Sequence, residues 1–600
     1  MGAYLLLMTF GPVQSFIAQA RRTRDLWFGS HVLSELSKDA MEAVNAIPGT
    51  EFIFPVLPST SGQDTGLPNK LLVRVRAGEP RMVAEAARDA ARARLVSWGM
   101  AQWEKMKELV AVESRAAAQE QLETLLEFQA AWVPFVAESD YSSALVQVEE
   151  VIAGRKRLQA FRPWLKQRGG VHKSSLDGAR ETVLRSRGRG LGQWARYRIG
   201  IREELDTVGL LKRTGGKPGQ FVPVTSIGLS AFIGHAEKAH PQRFSRLVEA
   251  CEDLRKKAPQ VLACIEDRGR EWIHRFPYDA QVLLPDRWKV LLEEEGVQTS
   301  QATDFYATHV RPLLDVVGEP YPYVVCLSAD GDRMGLALES LAMKGSAAHQ
   351  SLSRALADFS QTARRVVEQD HEGVLVYAGG DDVLAFVALP RALACASALR
   401  EEFARATRNL LPSPLTLSVG LGIGHVLESL GDLLDLGRRA EGLAKGTGET
   451  ARDGLGVVAR LHSGRMHSWR EQWSSSPGAL LALSDAVRLR EVGRLPLKKL
   501  QEVESLTRRF PSPKAAEPLS RDVVMGSLLA REVGRVLGRV EAGGPDGKGL
   551  LPREAGLELE GALTLGEVQS RVSSWVSRVW VAELFSRAEP RPRVDVKEAE

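Results

Sequence analysis

Cysteine is scarce in this chain. Four occur in 600 residues, Cys251, Cys264, Cys326 and Cys395, and no two are spaced as CxxC. That spacing predicts neither a zinc site nor a disulfide framework, and it suits a reducing, cytoplasmic setting. Long apolar runs are missing too. The opening AYLLLMTF is too short to span a bilayer, and no basic segment or cleavage site accompanies it. It reads as a buried first strand. A large net charge is also absent. Lys and Arg number 79 against 75 Asp and Glu, and the balance of +4 names no partner for the whole molecule. Long disorder is not expected either, with 44% hydrophobic and 26% charged residues, although the tail RAEPRPRVDVKEAE reads as frayed.

A chain of this length exceeds one ordinary core and predicts several domains. The fold class expected is α+β. Residues 1–150 read as a first α+β unit with a helical insertion. It begins with strand 3–10 and a helical stretch that puts Val13, Phe16, Ile17 and Ala20 on one face. The strands EFIFPVL and NKLLVRVRA follow, separated by the turn-rich PSTSGQDTGLP, and helix is expected from about 82 to 160. Residues 151–315 read as a connecting domain, loop-rich at first and then mostly helical. Its window 151–220 carries 17 Lys and Arg against 5 Asp and Glu. Residues 316–470 read as β-α-β-β-α-β-α-β, whose core is a ferredoxin-like antiparallel sheet with helices on one face. Residues 471–600 read as a helical C-terminal domain. The first 80 residues also offer β-α-β-β, as a degenerate copy of the later unit would.

Chemistry concentrates in that later unit. SADGDRMG puts Asp330 and Asp332 at the end of a strand, and VYAGGDDVLAFVAL puts Gly379, Gly380, Asp381 and Asp382 at a hairpin tip. Either motif alone has a bland reading, as a helix N-cap or a plain turn. On one βαββ unit the four carboxylates are expected to converge on one rim. Like charges so close repel unless a cation compensates, and hard oxygen ligands suit Mg²⁺ or Mn²⁺. Two such ions would activate a hydroxyl and stabilise a leaving pyrophosphate. The glycines allow a tight turn and close approach to a nucleotide. Lys445 and Arg452, between a helix and a strand in AEGLAKGTGETARDGLGV, are candidates to bind phosphates; a solvated helix end is the competing reading.

These motifs resemble the palm of GGDEF-type nucleotide cyclases. FGPVQSFIAQARRTRDLWFGSHVLSEL, DTGLPNKLLV, REELDTVGLLKR and SADGDRMG…YAGGDD together resemble the large signature subunit of type III-B (Cmr) CRISPR effector complexes. The resemblance covers essentially the whole chain. It implies two facing palms, a connecting domain, a C-terminal helical domain, partner Cmr subunits, a guide RNA and a target RNA. Single-stranded DNA is a further candidate partner. It implies synthesis of cyclic oligoadenylate from ATP, in antiviral defence, when target RNA is bound. Asp330, Asp381 and Asp382 take the catalytic and metal positions, with Asp332 as a helper. No His-Asp dipeptide occurs in the chain, so the HD nuclease activity of many relatives is expected to be absent. No paired cysteines lie in the connecting domain, so zinc is not expected there.

The first palm has no Gly-Gly-Asp-Asp, SGQDTGLP standing nearest in place, and this palm is expected to bind a nucleotide without donating metal ligands. Gln14 and Ser15, at a helix start, are phosphate-binding candidates, with a polar first turn as the alternative. In the basic window, Arg155, Lys156, Arg157, Arg187, Arg189 and Arg196, interleaved with Trp164, Trp194 and Tyr197, are candidates for RNA contact. A solvated loop or a subunit contact is the alternative, and RRTRD at 21–25 shares the ambiguity. Two rival functions remain: a stand-alone GGDEF-like cyclase making a diguanylate or mononucleotide ring, or a catalytically inert palm scaffold of an RNA-binding complex.

Overall fold

The computed structural model describes residues 3–589 except 57–66, 159–170, 186–196, 198, 201, 217–220, 258–261, 263–264, 266–269, 449–450, 476, 513–518 and 541–547. Two sheets organise the chain. The first contains β1 (Ala3–Gly11), β2 (Thr50–Phe54), β3 (Lys70–Val75) and β4 (Glu127–Phe135), ordered β2-β3-β1-β4 and antiparallel throughout. Helices α1 (Gln14–Ala18) and α2 (Thr23–Asn45) follow β1, and α3 (Pro80–Lys105) follows β3. Strand β1 is apolar on both faces because both are covered. Leu6, Met8 and Phe10 join the core under α2 and α3, while Leu5 and Leu7 pack toward α4 (Tyr141–Arg157).

Strand β4 corrects the expectation of unbroken helix from 82 to 160. EFQAAWVPF is rich in aromatic and β-branched residues, and it forms an edge strand bonded only to β1. Pro134 is tolerated because an edge strand has one unpaired side.

The second sheet holds β5 (Tyr323–Gly331), β6 (Val374–Gly379), β7 (Asp382–Ala388), β8 (Leu417–His425), β9 (Gly454–Arg460) and β10 (Met466–Gln472), ordered β10-β9-β8-β5-β7-β6. Its β8-β5-β7-β6 portion repeats the strand order of the first sheet, with two strands added. Helices α5 (Thr207–Thr214) and α6 (Met334–Ala342) precede the next two in the chain. On β5, Val325, Leu327 and Ala329 face a core built with α7 (Ser346–Arg365) and α8 (Leu389–Thr407), the ferredoxin-like layer. Val324 and Cys326 face the other way.

That other face carries α9 (Leu430–Lys445), the crossover between the parallel strands β8 and β9. Helices therefore cover both faces, and not the single face expected. The reason is legible in VGLGIGH. Gly420 and Gly422 sit opposite Ser328 and Cys326, and a Cβ at either would lie 2.1 Å from Glu441 N or 2.3 Å from Gly437 N. Only a glycine strand lets α9 press so close.

The two sheets meet through α7, which lies against β2. Val56 N–H donates to Ser353 Oγ (2.8 Å), Gln350 Nε2 to Phe52 O (2.9 Å) and Arg74 to Ser346 Oγ (2.8 Å), while Tyr141 Oη meets His349 Nδ1 at 2.6 Å. Helices Leu497–Arg509, Leu519–Gly538 and Leu565–Ala588 form a separate core joined by Leu489 of Ala479–Glu491; the second-sheet core takes Ala482 and Leu483 of that first helix and Val581, Ala582 and Phe585 of the last. Among the described residues no helix is long and apolar enough to cross a membrane.

Candidate active site

Three acidic side chains come together at one end of the second sheet. Strand alternation puts Ser328 and Asp330 on the face that α9 covers. Pairing of β5 with β7 runs to Ala329 opposite Val383, so the next step sets Asp330 beside Asp382. The hairpin β6–β7 closes through Gly380 and Asp381, with Gly380 at φ +70°, the region open to glycine. Gly331 completes the convergence. A Cβ there would lie 2.7 Å from Asp381 Cβ and 3.1 Å from its Oδ2.

The electrostatics record the crowding. Asp381 is half-buried and Asp382 is exposed. Burial first, then the charge of Asp330, pushes Asp381 up to about 6, against relief from Lys445 and a backbone N–H. Asp382 is raised by burial, Asp381, Asp330 and, more weakly, Glu441.

Lys445, at the last turn of α9, enters this rim. Its Nζ lies 3.0 Å from Asp330 Oδ2 and 2.7 Å from Glu441 Oε1. Burial opposes its charge, but hydrogen bonds to the two carboxylates outweigh it and raise its pKa. Glu441 in turn accepts a 2.5 Å hydrogen bond from Ser328 Oγ. Neither Glu441 nor Ser328 figured among the residues expected from sequence. The available signals were slight: Glu441 precedes Lys445 by one helical turn, and Ser328 precedes Asp330 by one strand repeat.

Asp332 does not join the rim. It is buried, and its oxygens accept from Thr416 Oγ1 (2.7 Å), Ser418 Oγ (2.7 Å) and Asp453 N–H (2.9 Å). Held by these three donors, it braces the loop behind the site. Arg452 belongs to the same brace. It and Asp453 hold φ of +77° and +45°, a strained pair for non-glycine residues. The turn is fixed by Arg452 N–H to Lys445 O (2.7 Å) and by Arg400 on both Asp453 oxygens. The guanidinium of Arg452 lies 3.9 Å from Asp332 and not on the carboxylate rim.

The remaining candidates lie elsewhere. Gln14 and Ser15 open α1, a five-residue helix, with Ser15 exposed. In RRTRD, Arg21 and Arg22 are exposed, whereas Arg24 and Asp25 are buried. Asp25 is buried and paired with the buried Arg213 of REELDTVGLLKR (2.6 Å), which also holds Glu203 at 2.7 Å. Neighbouring Lys212 donates to the carbonyls of Phe16 and Gln19. These two motifs thus lock onto each other. Arg155, Lys156 and Arg157 form the exposed last turn of α4. Tyr197 is buried beneath Arg24. Arg187, Arg189, Arg196, Trp164, Trp194 and most of SGQDTGLP fall outside the described residues. Cys251, Cys326 and Cys395 are buried free thiols.

Among the described residues, no three His, Cys, Asp or Glu side chains already enclose a position for a metal ion. The donor chemistry nevertheless fits a hard divalent cation, since three carboxylates oppose one another and one ammonium offsets only part of their charge.

Comparison with known proteins agrees with this architecture. The family model for the Cas10/Cmr2 second palm domain matches residues 323–455, and that for the N-terminal part of CRISPR-associated protein Cmr2 matches residues 5–123. The CRISPR system Cmr subunit Cmr2 of Pyrococcus furiosus is 33% identical over 172 residues, which take in 24% of this chain and only 19% of that relative. Among solved structures, a chain of a type III-B Cmr-beta complex in its apo state superposes with a TM-score of 0.62 at 13% identity, over 91% of this chain and 78% of the other. A chain of the complex bound to cognate target RNA gives 0.59 at 13%, over 90% and 79%. The chain is therefore similar to Cas10/Cmr2 proteins at residues 5–123 and 323–455, one match on each sheet, and shares the fold of the Cmr-beta chains along nine-tenths of its length.

Proposed function

We propose that this chain is the large subunit of a type III-B effector complex and that its second palm makes cyclic oligoadenylate from ATP when target RNA is bound. The observation that carries the reading is the convergence of Asp330, Asp381 and Asp382 with Lys445 on one exposed sheet end. Asp330, Asp381 and Asp382 would hold Mg²⁺ or Mn²⁺, which would supply Lewis-acid activation of a 3′-hydroxyl and neutralise the leaving pyrophosphate. Lys445 is placed to take a triphosphate oxygen as a point charge. Gly379 and Gly380 leave the hairpin tip bare, so a nucleotide can approach its backbone. The 3′-hydroxyl of one ATP attacks the α-phosphate of another, and pyrophosphate leaves. Repetition and a final closure give the ring.

The fold likeness to chains of Cmr-beta complexes, one of them bound to target RNA, supports assembly with other Cmr subunits and RNA. The exposed basic turn Arg155–Arg157 is a candidate RNA contact on this reading. The test is product analysis by mass spectrometry. Assembled complex with guide RNA, target RNA, Mg²⁺ and ATP is expected to yield oligoadenylates, and the Asp381→Ala/Asp382→Ala complex none. Products from the double variant would reject the site. Products from GTP instead of ATP would reassign the purine.

A further inference from the structure

Lys445 does more here than wait for a phosphate. Its ammonium rests on Asp330, one of the three carboxylates proposed to hold the cation, and Glu441 tethers it from the helix side. Glu441 is itself held by Ser328, on the strand that carries Asp330. The chain Ser328–Glu441–Lys445–Asp330 therefore begins and ends on β5 and passes through α9. Its dimensions depend on the glycine face of β8, because Gly420 meets the backbone of Glu441 itself.

An ammonium and a divalent ion on the same carboxylate repel each other and compete for its negative charge. We propose that Lys445 is a resident counter-cation whose ion pair with Asp330 competes with metal, and that Glu441, steadied by Ser328, is the positioning residue that sets this competition. The inference rests on the metal-dependent reading above and adds a coupling to it. A triphosphate draws Lys445 off Asp330 and frees that carboxylate for the cation, so nucleotide and metal each tighten the other's binding. Glu441 shares the ammonium with Asp330. Neutralising Glu441 leaves Lys445 to Asp330 alone and so weakens metal binding through Lys445.

Mn²⁺ binding to the full-length chain, followed by electron paramagnetic resonance without nucleotide, tests this directly. Lys445→Met is expected to tighten Mn²⁺ about 3- to 5-fold, the range of a partly exposed ion pair. Glu441→Gln is expected to weaken it by a similar factor in the native background and to have little effect in the Lys445→Met background. That non-additivity is the signature of action through the lysine. Adding a non-hydrolysable ATP analogue is expected to tighten Mn²⁺ in the native chain and much less in Lys445→Met. Two results would overturn the proposal: no tightening in Lys445→Met, or an equal Glu441→Gln effect in both backgrounds, which is direct electrostatics. Asp381→Asn/Asp382→Asn separates the two levels of the argument. Mn²⁺ binding indifferent to that change removes the metal reading itself, whereas binding lost there but insensitive to Lys445 removes only the coupling.

Discussion

The two sheets share a strand order and differ in what stands at the end of the central strand. In the first, β1 closes with Thr9, Phe10 and Gly11, and its hairpin partners are joined by a long connection from Pro55 to Asn69. In the second, β5 closes with Ala329, Asp330 and Gly331, and its partners are joined by the two residues Gly380 and Asp381. The same topology thus serves twice, once with no carboxylate at the end of the central strand and once with Asp330 there. The fold supplies a frame, and the chemistry comes from a few rim residues and the turn that aims them. Glycine marks the difference. At Gly331 a Cβ would strike Asp381, whereas at Gly11 the nearest atom is Glu127 Oε2 at 3.5 Å, an ordinary contact.

The largest expected effect exploits that pair. Gly331→Val should displace Asp381 and lower oligoadenylate formation by about 100-fold, the scale of a misplacement near 1 Å. Gly11→Ala should change it by no more than a few-fold. Equal losses from both, measured on complexes of matched composition, would erase the distinction between the sheets.

A second comparison lies within the second sheet, between Asp332 and Asp381. Asp332→Asn leaves buried donors poorly matched and should cost about 1–3 kcal/mol in urea unfolding, with Mn²⁺ affinity little changed. Asp381→Asn removes a repelled carboxylate. It should stabilise the metal-free chain and weaken Mn²⁺, the opposite pattern. The same sign of stability change in both variants would contradict the assignment of Asp332 to the brace.

The smallest effect belongs to the junction between the sheets. Burial, then the charge of Lys70, lowers the pKa of His349 to about 4, against a weaker opposing pull from Glu149. Its folded pKa lies below the unfolded value near 6.5, so the unfolded chain takes up the proton first. Stability at this position is intact above pH 6.5, falls as the pH drops toward 4, and levels off below that. His349→Gln should flatten this part of the profile of melting temperature against pH. An unchanged slope would place the acid sensitivity elsewhere.

Much of this was legible in the sequence, for physical reasons. Alternation and short motifs placed β5, the β6–β7 hairpin and the two aspartates at its tip, because turn chemistry and strand period are local. Strand β4 was missed because EFQAAWVPF follows a long helical stretch and contains a proline, and only its pairing with β1 decides its state. The bracing bonds of Asp332 were not legible because its three donors come from Thr416, Ser418 and Asp453, far along the chain. Glu441 was invisible because its role depends on how closely α9 presses on β8. That closeness is written in Gly420 and Gly422, but only in three dimensions does it point at Ser328.

The most direct test of the account is the position of a bound cation. In a structure of the chain with Mn²⁺ and a non-hydrolysable ATP analogue, the anomalous scattering peak of manganese should lie within coordination distance of Asp330 and at least one of Asp381 and Asp382, with Lys445 moved onto a phosphate. A peak away from these carboxylates, or Asp330 still held by Lys445 beside a bound triphosphate, would contradict it.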